Sequence, residues 1–273
     1  MAPSPGEPAG PLCVYFHGCP GAPAEAAWFD AAARYAGVRL VALDRGAVAP
    51  GAVGDAYFEA LAAEVDALAG GAPVRLIGFS LGAFVALQTA LRMGSSLSAL
   101  ELISPAGPLE GGEILDSMAG GPLFRLAMRS PWLFRLTTMG QGLAVRLAPQ
   151  AVMRGLFAAV SGAEAELAAK PGFRAVLTDM LDRSYGRMRA GYLRDILAYV
   201  RPWSDDLEGA ALPTRIWQGE ADGWAPPAMA LSLAARLGGA PVTRLSGLGH
   251  YSTLFEAMPL ILGELAQAGS TRA

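Results

Sequence analysis

Over its first hundred residues the chain alternates between two rhythms of apolar and polar positions. Short, β-type apolar runs at 12–16, 38–43, 74–77 and 100–103 are separated by stretches of helical composition or spacing at 22–35, 55–69 and 83–92. Within 55–69 the apolar residues Tyr57, Phe58, Leu61, Val65 and Leu68 fall on one helical face. Gly and Pro punctuate the joints, as at 17–21 and 44–54. Strands that alternate with helices in this way predict a parallel sheet covered by helices, because parallel neighbours need long crossovers.

The rhythm breaks after Pro105. Residues 107–208 carry helical stretches at 123–128, 132–136, 173–181 and 192–200 but no strand pattern, which predicts an inserted helical cap. A strand pattern resumes at 214–218. A helix opened by Pro226 and Pro227, a strand at 242–245 and a last helix over 253–267 complete the chain. The expected organisation is an α/β core in two parts, 1–106 and 209–273, with the cap at 107–208 between them. Its sheet should have about six mostly parallel strands flanked by helices.

One joint in this pattern carries chemistry. The residues at 78–82 read Gly-Phe-Ser-Leu-Gly and connect a strand directly to a helix, so the chain bends sharply at Ser80. Taken alone, the string also suits a plain β-to-α turn in which Ser80 caps the helix. The strand before it and the helix after it favour an exposed nucleophile. Functional groups in open parallel sheets gather beyond the carboxyl ends of the strands. Asp222 follows the strand at 214–218 and His250 follows the one at 242–245, so the chain order Ser80, Asp222, His250 is that of a Ser-acid-His triad. The only other histidine, His17, lies in the first loop, and Glu220 is a rival acid to Asp222.

With these motifs the chain resembles the α/β-hydrolase superfamily. His17-Gly18-Cys19-Pro20-Gly21 is similar to its His-Gly-x-Pro loop, 78–82 to its nucleophile elbow, Gly219 to Asp222 to its acid turn, and Gly247 to His250 to its terminal Gly-x-Gly-His. The resemblance implies that the backbone N–H groups of Cys19 and Leu81 form an oxyanion hole. It also implies structural roles for His17 and for the Asp44-Arg45 turn. Two features depart from the pattern: few residues precede His17, and the loop after Asp44 lacks the Pro-Gly-x-Gly-x-Ser string of relatives.

Composition narrows the field. Among 273 residues, 53% are hydrophobic and only 16% charged, which suits a large buried core; the net charge of −3 gives no basis for nucleic-acid binding. Residues 1–10 read as a loose tail rather than a signal peptide, and no apolar run is long enough for stable membrane insertion. Cys13 and Cys19 share one short segment, so a disulfide is not expected, and a cytoplasmic location is the default. In the cap segment, Met118, Phe124, Met128, Trp132, Phe134, Met139, Met153 and Phe157 either pack helix on helix or shape an apolar pocket. Residues 121–160 hold five arginines and no acidic residue, which reads as a solvated helix face, or as a site for an anionic substrate or a membrane surface.

The expected reaction is attack of Ser80 on an ester or related acyl carbon of a small, largely apolar substrate, with no metal or organic cofactor. Serine at the elbow speaks against epoxide-hydrolase and dehalogenase relatives, in which the resemblance implies an aspartate. Thioesterase, peptidase and carbon-carbon hydrolase chemistry, and a non-hydrolytic lyase, cyclase or ligand-binding role in the same pocket, stay open at this level.

Overall fold

A computed structural model of the chain describes residues 10–110, 112 and 114–270. Apart from Gly10, the tail expected at 1–10 lies outside the described residues. Six strands form one sheet: β1 (Leu12–Phe16), β2 (Arg39–Ala42), β3 (Val74–Phe79), β4 (Leu97–Ile103), β5 (Thr214–Gly219) and β6 (Val242–Leu245). All neighbours are parallel, in the order β2-β1-β3-β4-β5-β6. From β1 the chain moves outward to β2, then crosses back to β3 and continues the other way. The direction of winding therefore reverses between β1 and β3, and ligand sites form at such reversals. Phe16 pairs with Gly78 there, so both strands end beside the same crevice.

The crossovers also sort the helices. Right-handed connections that run in opposite directions lie on opposite faces of the sheet. Accordingly α1 (Asp30–Tyr35) packs with the C-terminal α12 (His250–Ser270), whereas α2 (Asp55–Ala69) packs with α3 (Leu81–Ala90). On α2 the buried face includes Tyr57, Phe58, Leu61 and Val65, as the spacing predicts. All of α3 is buried, because the sheet covers one side and inserted helices cover the other.

Residues 104–213 hold seven α-helices and, among the described residues, no strand: α4 (Ile114–Ser117), α5 (Gly121–Arg129), α6 (Pro131–Leu147), α7 (Pro149–Leu156), α8 (Gly162–Ala169), α9 (Pro171–Tyr185) and α10 (Arg189–Tyr199). Four of them, α5, α6, α7 and α9, have proline in the first turn, where its missing N–H has no intrahelical partner to lose. Back in the core, α11 (Pro227–Arg236) connects β5 to β6. A buried ion pair ties insertion to core: Arg45, after β2, donates through Nε to Asp195 of α10 at 3.0 Å, and Tyr57 Oη donates to the same carboxylate at 2.9 Å.

Several boundaries differ from the sequence pattern. The segment at 22–35 opens as a 3-10 turn (Pro23–Phe29) before becoming α-helical. Strand β4 starts at Leu97 rather than at 100, since backbone pairing with β3 extends past the apolar run. Helix α12 starts at His250 rather than at 253, because a side chain from the insertion caps its first turn. No helix among the described residues is long and apolar enough to cross a membrane.

Candidate active site

Ser80 stands between β3 and α3 with φ 56° and ψ −127°, a conformation that L-residues rarely adopt. The fold holds it there from both sides. Ser80 N–H donates to Ile103 of β4 at 2.9 Å, and its carbonyl accepts from Ala83 and Ala106. The two glycines are required by space: a Cβ on Gly78 would lie 2.6 Å from Ala83 Cα, and one on Gly82 would lie 2.2 Å from Phe16 O. Gly82 thus lets the start of α3 press against the end of β1, which brings the first loop beside Ser80.

The other two predicted residues meet. His250 Nδ1 and Asp222 Oδ2 are 2.8 Å apart, both nearly fully buried. Asp222 is itself fixed, because its Oδ1 accepts the backbone N–H groups of Trp224 and Ala225 at 2.9 Å each. The rival Glu220 instead pairs with Arg244 at the surface. Burial opposes a charge on His250, but Asp222, aided by Glu164 and Glu25, outweighs it, so the imidazole pKa is raised. Phe79 and Trp224 pack against the ring at centroid distances of 4.7 and 5.2 Å and fix its plane.

Glu164 was not legible as part of this site. It lies on α8, is almost fully buried, and accepts from Tyr251 N (3.0 Å), Ser252 N (2.8 Å) and Ser252 Oγ (2.7 Å). These N–H groups belong to the first turn of α12, which has no intrahelical acceptor for them. A carboxylate there also complements the positive end of the helix dipole. Gly249 makes room for it, since a Cβ would lie 2.9 Å from Glu164 Oε2. A remote residue therefore holds the helix that begins with His250.

The first loop is built around buried polar groups. Cys19 and Leu81 both line the cavity beside Ser80, and among the described residues no loop or turn hydrogen bond is donated by the N–H of either. Gly18 N–H donates to Glu25 Oε1 at 3.0 Å, and Tyr15 Oη donates to the same oxygen at 2.6 Å. Burial pushes the Glu25 carboxyl up to about 7, against the lowering effect of those two hydrogen bonds. His17 is buried, with Nδ1 donating to Gly18 O at 2.8 Å, while Arg45 donates to the His17 carbonyl at 2.8 Å. Burial and Arg45 push its pKa well down, so it stays neutral and structural. Cys13 and Cys19 are free thiols; burial raises the Cys19 pKa well above normal, which leaves it a poor nucleophile.

Ser80, His250, Cys19 and Leu81 share a cavity of about 350 Å³. Its remaining wall is mostly apolar and comes largely from the insertion, through Met118, Leu123, Phe124, Leu156, Leu177 and Ile196. Two polar side chains also line it: Gln141, whose buried Oε1 has no hydrogen-bond partner among the described residues, and Tyr192, whose buried hydroxyl lies beside that of Tyr185. Among the described residues no hydrogen bond joins Ser80 Oγ to His250; contacts of this kind commonly tighten only around a substrate. A larger groove, of about 710 Å³, runs along α10 outside this cavity and contains none of these residues.

The sequence profile of the alpha/beta hydrolase family matches residues 13–261, nearly the whole chain. The chain belongs to this family. Solved structures agree in fold. An esterase from Exiguobacterium antarcticum superposes with a TM-score of 0.66 at 16% identity, over 94% of this chain and 92% of that one. A bromoperoxidase from Bacillus anthracis gives 0.65 at 17% identity, over 95% and 92%. An enol-lactonase from Burkholderia xenovorans gives 0.63 at 18% identity, over 94% and 92%. No curated protein matches the sequence significantly. At these identities the structural likeness concerns the fold of this alpha/beta hydrolase, and its chemistry has to be argued from the site.

Proposed function

We propose that this alpha/beta hydrolase is a serine hydrolase that cleaves a carboxylic ester or related acyl bond of a small, largely apolar substrate. The observation that carries the reading is a serine held at positive φ in the same cavity as a histidine whose Nδ1 is bonded to a buried aspartate. Ser80 Oγ attacks the acyl carbon as its proton passes to His250 Nε2, and Asp222 stabilises the imidazolium that forms. The N–H groups of Cys19 and Leu81 receive the negative charge on the tetrahedral oxygen. His250 then protonates the leaving alcohol, and a water activated by the same imidazole releases the acid from Ser80.

The helical insertion acts as a cap in this reading. It supplies most of the apolar wall, which suits an acyl or alcohol group of modest size, and Gln141 and Tyr192 offer two polar points where a substrate oxygen or N–H can dock. The test is intact-protein mass after exposure to a fluorophosphonate, with peptide mapping. The expected result is one adduct on Ser80, lost in His250→Ala, followed by turnover in an ester screen of graded acyl length. An unmodified Ser80 in the folded wild-type protein overturns the proposal.

A further inference from the structure

Helix α6 is apolar on two opposite sides. Its inner side, with Phe134, Thr138, Gly142 and Val145, is buried in the insertion. Its outer side carries Trp132, Leu136, Met139, Leu143 and Leu147, spaced at helical intervals and between 54% and 75% exposed. With Met128 and Leu133 nearby, this one region holds seven of the eleven large apolar side chains that stand well exposed among the described residues. From Trp132 to Leu147 the stripe runs roughly 22 Å along the helix. A helix that is apolar all round is normally enclosed, and a contiguous exposed patch of this kind marks a surface that meets something.

Charge indicates what it meets. Residues 121–160 contain Arg125, Arg129, Arg135, Arg146 and Arg154 and no carboxylate. Arg125 and Arg146 are paired with Asp116 and Asp182, whereas Arg129, Arg135 and Arg154 are exposed and have no ion-pair partner among the described residues. Arg135 and Arg146 follow one edge of the stripe at 100° per residue, and Arg129 precedes it on the last turn of α5. A second copy of this chain would bring the same arginines face to face across a two-fold axis, with no acid of this segment to meet them. An anionic lipid surface satisfies both features, taking the apolar stripe at the acyl boundary and the arginines among the headgroups.

We propose that the outer face of α6 docks this protein on anionic membrane surfaces, lying in the interface without spanning it. Gln141, on the inner side of the same helix, lines the Ser80 cavity, so a docked protein would hold that cavity one helix away from the lipid. The inference stands apart from the reaction assigned to Ser80.

The experiment is cosedimentation of the full chain with sucrose-loaded phosphatidylcholine vesicles, with and without about a quarter phosphatidylglycerol, and sedimentation velocity of the free protein alongside. Binding is expected with the anionic vesicles, weak with the neutral ones, and diminished by salt. Charge removal at Arg129→Gln and Arg135→Gln together should weaken binding by about thirtyfold, from a factor of about five per basic residue. Leu136→Ser with Leu143→Ser should weaken it by about tenfold or more while leaving the melting temperature unchanged, as expected of exposed positions. Equal or absent binding to the two vesicle types overturns the proposal, as does binding that survives the Leu136→Ser, Leu143→Ser pair. A dimer that the same pair dissociates, with no vesicle binding, would assign the face to self-association instead.

Discussion

Replacing Glu164 by alanine tests whether the insertion holds the His250 helix as the geometry indicates. The substitution removes the acceptor of two backbone N–H groups and one hydroxyl, at 2.7 to 3.0 Å, in a site closed to solvent. Each buried donor left without a partner costs about 1–3 kcal/mol, and loss of a negative charge at a helix N-terminus adds about 0.3–1 kcal/mol. Water reaching part of the vacated space offsets some of this, so the expected net loss is about 3 kcal/mol. For a chain of this size that is a fall in melting temperature of about 10 °C. Glu164→Gln keeps one acceptor oxygen and should lose less than half as much. The same variants report on the site, because Glu164 helps to raise the His250 pKa. The acid limb of kcat/KM for an ester substrate should therefore move to lower pH in Glu164→Ala, with a reduced kcat. Calorimetry and a pH-rate profile check both parts. A melting temperature within about 2 °C of wild type, with an unmoved acid limb, would refute the account of Glu164 as the cap of α12.

The other predictions concern the elbow, the base and the buried acid. Ser80→Gly should abolish ester hydrolysis yet raise stability by about 1 kcal/mol, because glycine adopts the φ of 56° without strain; an unchanged or lower midpoint in urea would contradict this. In the wild type the acid limb of kcat/KM should lie above pH 6.5, since the raised His250 must lose its proton to act as a base. With Asp222→Asn, burial is opposed only by the weaker pull of Glu164 and Glu25, so the limb should fall below the wild-type position and kcat drop by about 10⁴-fold; a limb that stays in place would sink the pairing. Glu25, raised from 4.5 to about 7, binds its proton more tightly when folded, so its contribution to stability declines as pH rises from 4.5 to about 7. Glu25→Gln should remove that decline, worth about 3 kcal/mol, and narrow the gap between melting temperatures at low and neutral pH relative to the parent.

The sheet was legible because its strands are enclosed. In β1, β3 and the end of β4 nearly all residues are buried, so they read as largely apolar runs broken only by Arg75 and Glu101, and the elbow, acid turn and terminal Gly-x-Gly-His sit at the joints where the pattern changes. Asp222 and His250 could be found for the same reason: each follows a strand directly, and the parallel order brings those strand ends together. Glu164 could not. Nothing in its local sequence distinguishes it from Glu166 two positions later, and its role depends on α8 being laid across the start of α12. Glu25 was hidden likewise in an Ala-rich segment, where one acid reads as a solvated helix residue until Tyr15 and Gly18 are seen to enclose it.

These two acids share a logic with Asp195. Each acid is buried, each comes from outside the strand-end loop it serves, and each accepts its hydrogen bonds mainly from groups of that loop or of an element beside it. Glu25 holds the residue before Cys19, Glu164 holds the residues after His250, and Asp195 holds Arg45, which in turn holds the carbonyl of His17. Buried charges of this kind are poor sources of net stability, since desolvation offsets most of their attraction. They do discriminate sharply against alternative placements, because a displaced loop leaves an ion without partners in an apolar interior. In this alpha/beta hydrolase they brace loops that, in the proposed reaction, present an N–H and an imidazole to the Ser80 hydroxyl. The apolar core accounts for the existence of the sheet, whereas the relative positions of Cys19, Ser80 and His250 depend on these few buried ions. Substitutions at them should therefore disturb the geometry of the cavity well before they unfold the sheet.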